Sequence, residues 1–253
     1  MPKITIVTPT IRKEGLEIIR KSLAKQTFTD WEWLIGSKFD PKIPEAKWVK
    51  DNFKGGYWTL NRMYNKLFKE AKGELIVSWQ DHIWIPPEGL EKFWAAYEET
   101  DKEALITGVG DQYEKLNEFG KPEVKVWVDP RKRTDIGSFY EVNFNDIEYN
   151  WGALPKRLIY EVGGADEQLD FLGLGAEIFS IGDRLNDLGM KFYIDQSNES
   201  YSIRHGREAF GGQEAWDANN TFQNGKYLER KKQLIKENKW FDIGYLNGGD
   251  LDE

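Results

Sequence analysis

Apolar and polar positions along this chain switch between two periods, and the switching marks out strands and helices in turn. Lys3-Ile4-Thr5-Ile6-Val7-Thr8-Pro9-Thr10 is a β-branched run closed by Pro9 and predicts a buried first strand. From about Glu14 to Gln26, Leu16, Ile19 and Leu23 fall on one helical face, and Trp31 to Gly36 reads as a second strand, which completes a βαβ unit. Gly55-Gly56 opens a second helix carrying Leu60, Met63, Tyr64, Leu67 and Phe68 at helical spacing, and Lys72-Gly73 stops it. Glu74 to Trp79 then predicts a third strand. Pro86-Pro87 launches a helix to about Glu99, and Ala104 to Gly108 supplies a fourth strand. Helices and strands alternating in this way predict an α/β fold, a mostly parallel central sheet flanked by helices, with ligands bound at the carboxyl ends of the strands.

Beyond Gly110 the regularity fades. Up to Asn150 the chain is aromatic and β-branched, broken by Gly120-Lys121-Pro122 and by the charged Asp129-Pro130-Arg131-Lys132-Arg133, which predicts irregular strands and a mobile loop. Helical patterning returns over Pro155 to Val162, Gly175 to Leu188 and about Lys226 to Asn238. No repeat or low-complexity block divides the chain, so one domain is expected over residues 1–245, followed by a flexible acidic tail at 246–253.

Composition narrows the function classes. Lys+Arg 35 against Asp+Glu 43 leaves a net charge of −8, which disfavours nucleic acid and anionic lipid as partners. The absence of cysteine excludes a disulfide framework, and no long apolar run or leader is visible, so a cytoplasmic protein without a membrane span is expected. Aromatic residues make up 14% with 11 Trp, and Trp58, Trp79, Trp84, Trp127 and Trp151 lie near polar loop residues, where indole faces can stack on sugar rings as well as pack a core.

The chain has 2 histidines. His82 follows Asp81 in Trp79-Gln80-Asp81-His82-Ile83-Trp84-Ile85-Pro86, directly after the third strand; His205 lies in Ser202-Ile203-Arg204-His205-Gly206-Arg207, after the strand-like Lys191 to Ile194. A carboxylate (Asp81) and an imidazole (His205), each leaving the end of a strand, suit an open site for a divalent cation, with His82 an ordinary neighbouring imidazole. Such a cation would hold phosphate.

Together these segments resemble known families. Ile4 to Ile35 is similar to the opening of family 2 glycosyltransferases, and Asn65 through Ala71-Lys72-Gly73-Glu74 to Ile83-Trp84-Ile85-Pro86 resembles the segment around their DxD motif. Gly163-Gly164-Ala165-Asp166-Glu167 resembles their Gly-Gly-Phe-Asp-Glu turn. Gly173-Leu174-Gly175-Ala176-Glu177-Ile178 with Asp183-Arg184-Leu185 is similar to the Gly-Trp-Gly-Gly-Glu-Asp run of the β-1,4-galactosyltransferases, and Ile203-Arg204-His205 to their Ile-Arg-His. The likeness runs over roughly residues 3 to 207. It implies a GT-A fold, with a nucleotide-sugar-binding half at about 1–110 and an acceptor-binding half at about 111–245.

The same likeness implies a division of labour. Asp81 takes the place of the second Asp of DxD, a metal ligand, and His205 becomes the other protein ligand of Mn2+ or Mg2+. The first Asp is replaced by Trp79, or the register slips so that Gln80-Asp81-His82 is a DxH variant, and either way one negative charge is missing. Glu177 is the candidate general base, although Ile178 stands where the galactosyltransferases carry the Asp of their Glu-Asp pair. Thr8, Pro9, Thr10, Arg12, Asp40, Arg62 and Gln80 are candidates for the UDP or GDP moiety of the donor. Arg204 and Arg207 suit its diphosphate, and Trp151, Asp166 and Glu167 suit a glycan or other hydroxyl acceptor. Arg131 to Arg133 reads either as a solvated loop or as a lid over phosphate. The function implied is metal-dependent, inverting transfer from a nucleotide-sugar. A catalytically decayed binder of nucleotide-sugar or glycan is the alternative, and a nucleotidyltransferase fits less well because Thr8-Pro9-Thr10-Ile11-Arg12 contains no glycine.

Overall fold

A computed structural model describes residues 1–55, 59–117, 122–172, 177–203 and 225–246. The first strand, β1 (Ile4–Pro9), pairs in parallel with β2 (Trp31–Ser37) on one side and β4 (Leu75–Trp79) on the other, and β2 pairs in parallel with β3 (Ala46–Lys50). Helix α1 (Lys13–Leu23) joins β1 to β2, and α2 (Leu60–Glu70) precedes β4. The sheet then changes direction. β9 (Trp151–Pro155) inserts antiparallel between β4 and β6 (Ala104–Leu116), β10 (Lys191–Ile203) runs parallel to β6, and the short β5 (Ile83–Trp84) closes the edge antiparallel to β10. β7 (Pro122–Trp127) pairs with β6, and β8 (Phe139–Val142) with β10, giving a ten-stranded mixed sheet.

Strand alternation divides the core into two layers. Val7, Leu34 and Ile76 face one side, where they meet Met63, Tyr64, Leu67 and Phe68 of α2 together with α4 (Lys156–Glu161) and α6 (Glu177–Asp187). Ile4, Ile6, Trp33, Ile35, Leu75, Val77 and Trp79 face the other, against Leu16, Ile19 and Leu23 of α1 and Leu90, Phe93 and Tyr97 of α3 (Gly89–Glu99). Each such fully buried large side chain contributes roughly 1.5–3 kcal/mol. A satellite cluster of Leu169, Tyr227, Leu234, Trp240 and Ile243 packs α5 (Gln168–Leu172) against α7, residues 225–236.

The expected parallel order holds for β3-β2-β1-β4 and for the β6–β10 pair, and the remaining pairings are antiparallel. β9 lies where the pattern suggests only the approach to a helix. β6 and β10 each run 13 residues, well past their apolar stretches, because each gives the other a partner beyond the irregularity between Ile194 and Glu199. The charged Asp129 to Arg133 segment is tied down: Arg131 donates to both oxygens of the buried Asp129, and Lys132 pairs with Asp111 and Glu199. Among the described residues no helix is long and apolar enough to cross a membrane.

Candidate active site

Because β1 and β4 are parallel neighbours, the chain leaves both at the same edge of the sheet, and Thr10, Arg12, Asp81 and His82 meet there. Asp81 is buried at 4% exposure. The Thr10 hydroxyl donates to its Oδ2, Arg12 donates through Nε to Oδ2 at 3.1 Å and through Nη2 to Oδ1, and His82 Nδ1 lies 3.6 Å from Oδ1. Arg12 Nη2 is also 3.4 Å from His82 Nδ1. Burial alone would raise the Asp81 carboxyl, but hydrogen bonds from His82, Arg12 and Thr10 and the charge of Arg12 outweigh it and hold the group at about 2. The first turn of α1 rests on the same point: a Cβ on Gly15 would sit 1.9 Å from the Asp81 carbonyl oxygen, so only glycine fits.

Beside this cluster opens a cavity of about 520 Å³, walled by Gln80, His82, Trp127, Arg131, Glu148 and Trp151 among others. Its floor is rigid. Trp151, 2% exposed, donates its indole N–H to Asn198 Oδ1 at 3.1 Å and meets Trp79 edge-on with ring centroids 4.9 Å apart. Trp127 keeps 39% of its surface open. The lining mixes amides, hydroxyls and indoles with one carboxylate, Glu148, whose backbone carbonyl accepts from the Thr107 hydroxyl at 2.5 Å. That chemistry suits a polyhydroxylated ligand.

The architecture has counterparts among solved structures. Residues 1–349 of S. aureus TarS superpose with a TM-score of 0.56 at 15% identity, covering 79% of this chain and 60% of that one. GalNAc-T7, solved with UDP, GalNAc and Mn2+, superposes with a TM-score of 0.61 at 14% identity, covering 81% of this chain and 44% of that one. Both are glycosyltransferases of one fold. The fold is GT-A. The chain spans less than two thirds of the length of either protein, and the likeness at such identity is one of fold. No protein-family model matches the sequence, and no curated protein sequence does.

Within this GT-A frame the residues predicted from sequence divide into three groups. Thr10, Arg12, Gln80, Asp81 and Trp151 gather at the cluster and the cavity, and His82 joins them; it is buried and lines the cavity, where an ordinary neighbouring imidazole was expected. Pro9 ends β1 one residue before this cluster.

Others serve the scaffold. The Thr8 hydroxyl donates to the Trp79 carbonyl at 2.8 Å and accepts from the Trp33 indole at 3.0 Å, deep in the sheet. Trp79 itself is fully buried, with its indole N–H on the Ile83 carbonyl at 2.9 Å. Arg62 pairs through Nε with the buried Asp170 at 3.2 Å, and Asp170 also accepts the Asn61 and Arg62 backbone N–H groups at the start of α2. Asp166 holds Arg230 of α7 at 2.7 Å, and Glu167 accepts from Asn65 at 2.8 Å; burial pushes the Glu167 carboxyl up, partly offset by that bond. Their turn is braced from below by Arg184, fully buried, which donates to the carbonyls of Ser180, Val162 and Gly164 and whose guanidinium is lowered by burial to about 10. Gly163 and Gly164, at φ 71° and 89°, take the left-handed region that this turn needs. Asp40 pairs with its neighbour Lys42 at 2.6 Å.

The third group lies outside the described residues: Arg204, His205, Arg207 and the side chain of Glu177, whose backbone begins α6. Glu148 is not legible in the sequence, where a lone glutamate between loop residues carries no periodic or motif signal. Among the described residues no group of three or more His, Asp or Glu gathers as a metal cage. Asp81 and His82 nevertheless already hold one cation, the Arg12 guanidinium, so a carboxylate and an imidazole facing a shared positive charge fit a divalent ion's hard-to-borderline donors.

Proposed function

We propose that this GT-A protein is an inverting, metal-dependent glycosyltransferase that moves a sugar from a UDP- or GDP-sugar to a hydroxyl acceptor, a glycan by preference. The observation that carries the reading is the ionised, buried Asp81 at the exit of β4, beside a cavity with the lining a sugar requires. In this reading about residues 1–110 supply most of the donor contacts and about residues 111–245 the acceptor contacts, with Arg204, His205 and Arg207 added to the donor's diphosphate and metal.

Asp81 and His205 would hold Mn2+ or Mg2+, which when bound supplies positive charge against the departing nucleoside diphosphate. Thr10, Arg12 and Gln80 flank the donor, and Arg204 and Arg207 grip its diphosphate through paired hydrogen bonds. The wall of Trp151 and the open face of Trp127 orient the sugar rings. The Glu177 carboxylate takes the acceptor proton as the hydroxyl oxygen bonds to the anomeric carbon and the bond from that carbon to the diphosphate breaks.

A second reading is favoured by one observation. Trp79, at the place of an acidic residue, is packed in the core, so the site has lost one charge for good and suits a binder that no longer turns over. Nucleoside diphosphate release from a panel of nucleotide-sugars, with manganese and with candidate glycan acceptors, separates the two. Turnover of at least one donor supports the transferase. Donor binding without turnover across the whole panel overturns it.

A further inference from the structure

The geometry points to Arg12 as an exchangeable cation: its guanidinium occupies Asp81 while no donor is bound, transfers to the donor's diphosphate, and so makes divalent metal binding conditional on the nucleotide. This rests on the metal-binding reading of Asp81 given above.

The contacts are specific. Arg12 covers both carboxylate oxygens of Asp81 and stands 3.4 Å from His82 Nδ1, which places one positive charge where a divalent ion would find a carboxylate and an imidazole. The two cations do not share that place, since a divalent ion on these oxygens would meet the guanidinium's like charge at contact distance. The Arg12 backbone is fixed by its N–H, which donates to Thr10 Oγ1 at 2.9 Å. The side chain is not confined: it is 42% exposed, against 5% for Asp81. Arg12 is thus held at its backbone, with a guanidinium that solvent and a ligand can reach. Its partner, by contrast, is buried and cannot be left without a positive charge except at high cost.

An exchange follows. When a nucleoside diphosphate enters, its oxygens offer the guanidinium an equivalent two-pronged contact, and Asp81 is released to accept the metal. Metal and nucleotide then bind cooperatively, and by linkage each strengthens the other by one common factor. With Trp79 in the core and no second carboxylate from that position, the metal must displace Arg12 from Asp81 with less negative charge to draw it in, which sharpens the dependence on the donor's diphosphate.

The test is Mn2+ titration followed by electron paramagnetic resonance, on the wild type, Arg12→Gln, Arg12→Lys and Asp81→Asn, each with and without UDP or GDP. The wild type should bind Mn2+ about tenfold or more tightly once nucleotide is present. Arg12→Gln should bind Mn2+ alone about tenfold more tightly than the wild type, and added nucleotide should change it little. Arg12→Lys, which keeps the charge and loses the fork, should fall between the two. Equal or weaker Mn2+ binding by Arg12→Gln overturns the exchange, and if the wild type still forms a ternary complex that Asp81→Asn cannot form, the metal-binding reading stands without it. Absence of Mn2+ binding in every protein, with or without nucleotide, overturns both.

Discussion

Ile203 donates its backbone N–H to the carbonyl of His82 at 2.9 Å. With Ser202 opposite Ile83, this bond stitches the end of β10 to the segment that carries Asp81. Two regions more than a hundred residues apart thus run side by side at the mouth of the cavity, and His205 follows two residues after the stitched position. That continuity supports a site shared by the two ends.

The Asp81 carboxyl, at about 2 against an ordinary 3.8, makes folding sensitive to acid. A carboxyl depressed on folding adds stability above its unfolded value, and that stability disappears as pH falls towards the folded one; the shift is worth about 2 kcal/mol for this buried group. Urea unfolding in chelator-treated buffer, wild type against Asp81→Asn, should show the gap between them narrowing by most of that amount from about pH 6 down to about pH 2.5. A gap independent of pH would contradict the assignment.

In the register that sets Asp81 at the second Asp of a DxD motif, Trp79→Asp would supply the first, yet the Trp79 side chain lies in the core against Trp151 and not at the site. The substitution should cost about 3–5 kcal/mol or more through the lost ring and a buried carboxylate, without tighter Mn2+ binding. Differential scanning calorimetry beside a metal titration checks both halves.

Asp170 collects the Asn61 and Arg62 backbone N–H groups, the Asn61 amide and the Arg62 guanidinium at the start of α2. Asp170→Ala strands these donors in the interior and should destabilise the fold by about 3–5 kcal/mol. Since Arg62 then loses its carboxylate but keeps its bonds to the Lys54 and Gly55 carbonyls, donor affinity measured well below the melting temperature should stay within about threefold of the wild type, and a larger loss would return Arg62 to the donor site.

Much of the first half of the fold was legible because local patterns sufficed. β1, β2 and β4 are apolar enough to be read alone, and α2 carries its buried stripe at helical spacing. β3 and β9 were not legible. Ala46–Lys50 alternates weakly, and Trp151–Pro155 reads as a small-residue stretch leading to a helix until β4 and β6 give it partners on both sides. The site was partly legible: Asp81, Arg12 and Trp151 could be picked by residue type and resemblance. That Arg12 sits on Asp81 depends on strand order, which residue spacing does not encode. The same applies to Arg62 and Asp166, whose charges look available in sequence and are paired with Asp170 and Arg230 in the fold.

Glu177→Gln should leave donor affinity unchanged and lower turnover by about a hundredfold to ten-thousandfold, if Glu177 removes the acceptor proton. Steady-state kinetics with a donor and acceptor found active in the panel decide it. Near-normal turnover would move the role to another carboxylate, with Glu148 in the cavity wall the next to substitute.

The most direct measurement is a crystal structure with manganese and UDP or GDP, in which the metal is located by its anomalous scattering. A single strong peak bonded to the Asp81 carboxylate and the His205 imidazole is expected, with the diphosphate on the same ion. A peak elsewhere, or Asp81 and His205 on separate sides of the molecule, would contradict it.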